Sequence, residues 1–163
     1  MRKPAIRRAA RCGATFAVRG RWGSVGSPST IRLRHTITRL TVHLVWATGG
    51  RVPWLKPEVD PWLAERITAM CDAIGCRAIA VGNASDHVHV LVAYPPTVAV
   101  SYLAHRLKGA TSRVLAQLLP GGFGWQAGYF AASVDDVEGV AAYVRSQRTH
   151  HETTKVPEEW ETD

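Results

Sequence analysis

The chain has 163 residues, 46% of them hydrophobic and 20% charged, with a net charge of +7. These values describe one globular domain with room for an extension, rather than a disordered chain. No apolar run approaches the roughly 20 residues a membrane-spanning helix needs. Three cysteines without CxxC spacing argue against a disulfide framework and for a reducing cytoplasm.

The charge is unevenly placed. Residues 1–35 hold nine of the twenty Lys and Arg and no acidic residue, which leaves eleven basic against thirteen acidic residues in 36–163, a net of −2. Basicity therefore belongs to the extension and says little about nucleic-acid binding by the domain. The extension shows no sustained periodicity and no continuous apolar stretch of a secretory signal, and Arg7-Arg8 lacks an apolar follow-on. The expectation for 1–35 is a disordered basic arm, or a stretch ahead of the true start; an organellar transit peptide is the lesser alternative. A single domain is expected over 36–163.

Within that domain, TVHLVWAT at 41–48 is β-branched and apolar, and predicts a strand. Leu63, Ile67, Met70 and Ile74 recur at helical spacing, from an opening near Pro57–Pro61 to a stop at Gly75. CRAIAV at 76–81 and HVHVLVA at 87–93 predict two strands, and the turn residues 83–86 between them predict an antiparallel hairpin. Val100, Leu103, Leu107, Ala110, Val114 and Leu118 mark a long amphipathic helix ending at Pro120-Gly121-Gly122. WQAGYFAA at 125–132 is a weaker strand. A last helix is expected to start at Ser133, with Ser133 to Asp136 as a capping box, Asp135 and Glu138 at its positive start, and Val137, Ala141 and Val144 as its buried stripe. No internal repeat is present. Strand–helix–strand–strand–helix–strand plus a further helix is an α+β, ferredoxin-like split βαβ order with a four-stranded antiparallel sheet.

Two features bear on chemistry. His87-Val88-His89 lies on a strand, where alternate residues share a face, so both imidazoles stand together while Val88 points to the other side. Alone, such a pair is as compatible with an ordinary half-exposed strand as with a metal site. Tyr143 and Gln147 are four apart, stacked on one helical face, which suits either a nucleophile with a nearby amide ligand or a helix that buries a ring edge. Tyr129, on the weaker strand, is a rival nucleophile, but with no metal ligand one turn away core packing is favoured; His43 either faces the site or caps the sheet, and structural burial is favoured. His150-His151 read as a solvated helix end. Arg106 and Arg113, seven apart, share a face of the long helix with Lys108 offset; that face tracks a phosphate backbone or is simply solvated.

Taken together these segments resemble a known family. His87-Val88-His89 fits the HUH motif, and Tyr143-Val144-Arg145-Ser146-Gln147 the Tyr-x-x-x-Gln helix, of the small single-tyrosine HUH transposases of bacterial insertion sequences. HLVWAT at 43–48, DHVHVLVAYPPT at 86–97, LKGATSRVL at 107–115, WQAGYF at 125–130 and QRTHHE at 147–152 are similar to the same group, in the same order. The resemblance implies that Tyr143 is the catalytic nucleophile and that His87, His89 and Gln147 hold one divalent cation, Mg²⁺ or Mn²⁺. It implies cleavage and rejoining of single-stranded DNA with hairpin ends through a 5′-phosphotyrosine, by a homodimer in which the tyrosine helix commonly docks on the partner's sheet. It favours DNA contact for Lys108 and Arg113. A domesticated relative acting on dispersed palindromes, or a ferredoxin-like nucleic-acid binder without catalysis, is the alternative. Gly49-Gly50 stands where the family's pattern leads one to expect more basic residues.

Overall fold

The structure is a computed structural model that describes residues 30–33, 36–119 and 121–149. A short antiparallel pair comes first, β1 (Ile31–Leu33) and β2 (Thr36–Thr38). Ile31 is buried, so residues 31–33 of the stretch expected to be disordered lie in a strand pair. The rest of that arm, 1–29 and 34–35, lies outside the described residues.

The core follows from two periodicities. Strand β3 (Thr41–Ala47) is buried along its whole length. Helix α1 (Asp60–Ala73) carries Pro61 in its first turn, where a missing N–H costs nothing, and buries Leu63, Ile67 and Cys71 at four-residue spacing. It is stopped by Gly75 at φ 73°, a left-handed conformation that glycine adopts without penalty. Strands β4 (Arg77–Asn83) and β5 (His87–Ala93) form the expected hairpin, with a register shift between Ala78 and Ala80. Helix α2 (Val100–Leu118), strand β6 (Phe130–Ser133) and helix α3 (Val137–Arg145) follow. The sheet runs β4-β5-β3-β6, every neighbour antiparallel, which is the ferredoxin-like arrangement expected.

The sheet has two different faces. Val88, Val90 and Val92 of β5 join Val42, Leu44 and Trp46 of β3 under α1 and α2, the main apolar core. Each such fully buried side chain contributes about 1.5–3 kcal/mol. The opposite side is thinner: Ala141 and Val144 of α3 pack on Ala80 and Leu91. His43, His87 and His89 belong to this second face by alternation.

Three boundaries differ from expectation. Helix α3 starts at Val137, capped by Asp136, whose Oδ1 accepts from Gly139 N–H at 2.9 Å; Ser133 instead pairs with Val42 in the sheet ladder. Of 125–132 only the end is strand, and Trp125 makes a single bridge to Thr48. The buried stripe of α2 is Leu103, Ala104, Leu107, Thr111 and Leu115, while Leu118 is 62% exposed. Thr111 is tolerated inside because its hydroxyl donates to Leu107 O at 2.9 Å and accepts from the Trp125 indole at 3.0 Å.

Candidate histidine–tyrosine site

The second sheet face assembles the candidate site. His87 and His89 are 4% and 2% exposed, their ring centroids 4.9 Å apart. Each is held through Nδ1. His87 Nδ1 lies 2.7 Å from Asp86 Oδ1, and His89 Nδ1 lies 3.0 Å from His43 Nε2. Such partners fix ring orientation and bias the tautomer. Asp86 is gripped in turn by Arg51, Nε to Oδ2 at 3.0 Å. Burial would raise the Asp86 carboxyl, yet its hydrogen bond to His87 and the charges of His87 and Arg51 bring it below the usual carboxylate value. Burial lowers His43 to about 4, so this imidazole is neutral at pH 7.

Tyr143 comes to the same place from α3. Its ring stands edge-on to His89, centroids 5.7 Å apart, and to His43 at 6.3 Å. Gln147, one turn on, is 1% exposed; its Nε2 donates to Tyr143 O at 3.1 Å, and its Oε1 is buried without a hydrogen-bond partner. A Cβ built on Gly82, the residue opposite His89 in the β4–β5 ladder, would lie 3.5 Å from Gln147 Cγ, so the amide sits beside the histidine pair. The four residues singled out from the sequence are thus together in space. A buried amide oxygen with a lone pair to satisfy, next to two oriented imidazoles, is a donor set that fits a divalent cation. Among the described residues no cluster of three His, Cys, Asp or Glu is placed to hold a metal.

The sequence reading missed Asp86, taken only as turn chemistry, although it stands directly before the HxH pair. It placed His43 in a structural role; His43 is buried and also a member of the site. Tyr129 is not a strand core residue but lies in the loop before β6, 37% exposed, in a depression with Ser101, His105 and Lys108 on the α2 side. Lys108 is turned inward: its Nζ donates to Gln126 O at 2.6 Å, Ala127 O at 3.1 Å and Gly128 O at 2.7 Å. All three ammonium hydrogens are thereby used on the loop before β6, and burial lowers the Lys108 pKa. Arg106 and Arg113 are exposed and line one cleft between α1 and α2 together with Arg66 and His105. That cleft lies across the sheet from the histidines. His150 and His151 lie outside the described residues.

A histidine pair thus stands beside a tyrosine carried by the helix that covers one face of a ferredoxin-like antiparallel sheet. The family model described as "Transposase IS200 like" matches residues 36–147, and the chain belongs to that transposase family, whose members act on DNA. It is similar to the ISDra2 transposase TnpA of Deinococcus radiodurans, 28% identical over 123 residues that make up 70% of this chain and 88% of the relative. A crystal structure from Deinococcus radiodurans, described as a transposase, superposes with a TM-score of 0.60 at 25% identity, over 72% of this chain and 98% of the other. No helix among the described residues is long and apolar enough to cross a membrane.

Proposed function

We propose that the protein cuts and rejoins single-stranded DNA with Tyr143 as nucleophile, and so moves an insertion sequence. The observation that carries this reading is the packing of the Tyr143 ring against His89, with the buried Gln147 amide one turn away. The Tyr143 hydroxyl attacks a backbone phosphorus, the bond to the 3′ oxygen breaks, and the departing oxygen takes up a proton while the phenol gives one to solvent. The products are a 5′-phosphotyrosine and a free 3′-hydroxyl. A second 3′-hydroxyl reverses the step, so the phosphoester energy is conserved and no nucleotide cofactor is needed. His87, His89 and Gln147 would hold Mg²⁺ or Mn²⁺, which when bound polarises the phosphate and offsets its developing charge. Asp86 and His43 hold the two histidine rings through their Nδ1 atoms.

The DNA partner we propose is a single strand with hairpin ends, and the working assembly a homodimer. Within the single chain, α3 packs on its own sheet and brings Tyr143 beside His89. Arg106 and Arg113, with Arg66 and His105, offer cations for phosphates away from the cut. Lys108 serves the loop before β6 instead.

Covalent capture tests the reading. Labelled single strands from both flanks of the gene are incubated with protein and Mn²⁺, then run on denaturing gels. The expected result is a protein–DNA adduct that EDTA, His87→Ala and Tyr143→Phe each abolish. An adduct that survives Tyr143→Phe would remove Tyr143 from the mechanism.

A further inference from the structure

Helix α3 is tied down on both sides of β4. Arg145 Nη2 donates to Ile79 O at 3.1 Å. Beyond the helix, the Arg148 guanidinium forks onto the carboxylate at the start of α1, Nε to Asp60 Oδ2 at 2.7 Å and Nη2 to Oδ1 at 2.5 Å, and Nη2 also donates to Leu55 O at 3.0 Å. Asn83, the last residue of β4, donates from Nδ2 to Asp60 Oδ1 at 2.9 Å and to Ala84 O at 3.2 Å. The Arg148 and Asp60 side chains are 27% and 32% exposed. A lone exposed ion pair holds little, but a forked, partly buried pair that shares its oxygens with an amide has one geometry and keeps it.

Between these ties the chain needs a gap. A Cβ on Gly82 would fall 1.7 Å from Val144 O and 2.8 Å from its carbonyl carbon, an overlap no side chain relieves because both atoms are backbone. The end of α3 therefore presses directly on β4, at the residue paired with His89. Gln147 follows that contact immediately, and Arg148 follows Gln147.

We propose that Gly82, Asp60 and Arg148 are positioning residues: the notch and the fork set where Tyr143 and Gln147 stand relative to His89, without themselves touching DNA. The consequence for cleavage rests on the function proposed above; the docking does not. A displacement of about 1 Å in such groups costs on the order of 10² in rate, so a loosened fork is felt at the tyrosine.

Hydrogen exchange on metal-free, DNA-free protein tests this. Gly82→Ala, Asp60→Asn and Arg148→Lys are compared with wild type; the last keeps the charge and removes the fork. Amides of 141–149 are expected to exchange on the order of tenfold faster in each variant, with α1 and α2 protected as in wild type. Formation of the Tyr143 adduct should fall on the order of 10² while affinity for hairpin DNA is retained. Unchanged exchange over 141–149 in all three variants would overturn the proposal. So would Arg148→Lys weakening DNA binding with α3 protection intact, which would assign Arg148 to a phosphate. A wild-type protein that forms no adduct would refute the nucleophile while leaving the exchange result standing.

Discussion

His43 shows what burial does to a single group on this face. An ordinary imidazole titrates near 6.5, whereas this one does so at about 4 because its charged form is poorly solvated. Between those values the unfolded chain takes up a proton that the folded chain refuses. Its contribution to stability is therefore complete above pH ~6.5 and is lost as the pH falls toward 4. Urea unfolding at pH 7 and pH 5 should show a lower midpoint at pH 5 in wild type, and a smaller drop in His43→Gln; equal drops would mean His43 is not the group responsible. Asp86 acts on the neighbouring ring. Asp86→Asn removes the anion that orients His87 and should weaken Mn²⁺ binding by about 10–100-fold in calorimetry, with the fold intact.

Elements decide which cations can meet DNA. Lys108 was a fair candidate on a helical projection, but its ammonium is spent on three carbonyls of 126–128. Lys108→Met should cost about 1–3 kcal/mol of stability through carbonyls left without a donor, and leave the salt dependence of DNA binding unchanged. Arg113→Ala should do the reverse, reducing the slope of log K against log salt by about 0.7–0.9 with little loss of stability. Local pattern sufficed where one period dominates: β5 was legible to the residue, and α2 in its extent but not in its buried face, which turns on Ala104, Thr111 and Leu115 rather than Ala110, Val114 and Leu118. The start of α3 was not, because Ser133 can cap a helix or close a ladder, and only pairing with Val42 decides. The same holds within the site. His87, His89, Tyr143 and Gln147 were visible as two short motifs. The His43–His89 bond and the Arg148–Asp60 fork join residues 46 and 88 positions apart, and no local spacing announces them.

At the scale of the whole molecule, the sheet separates two functions. One face holds the histidines and tyrosine, and beyond the other the α1–α2 cleft gathers Arg66, Arg106 and Arg113. With a net charge of −2 over 36–163, general affinity for DNA should come largely from outside that domain. Removing residues 1–29, which hold seven of the twenty Lys and Arg, should lower non-specific binding steeply at low salt and hardly at high salt, in shift assays at two ionic strengths. The Tyr143 adduct should persist in the shortened protein; its loss would mean the arm contributes to the site itself.

The tie between Asp60 and Arg148 reaches across most of the described chain. The acidic anchor Asp60, the pair His87 and His89, and Tyr143 are made in that order during synthesis, and the arginine that closes the set is made after all of them. A premature stop before residue 143 removes the proposed nucleophile, and one between 143 and 148 removes the Arg148 tie that holds α3. Such truncated products should therefore form little or no Tyr143 adduct in the capture assay.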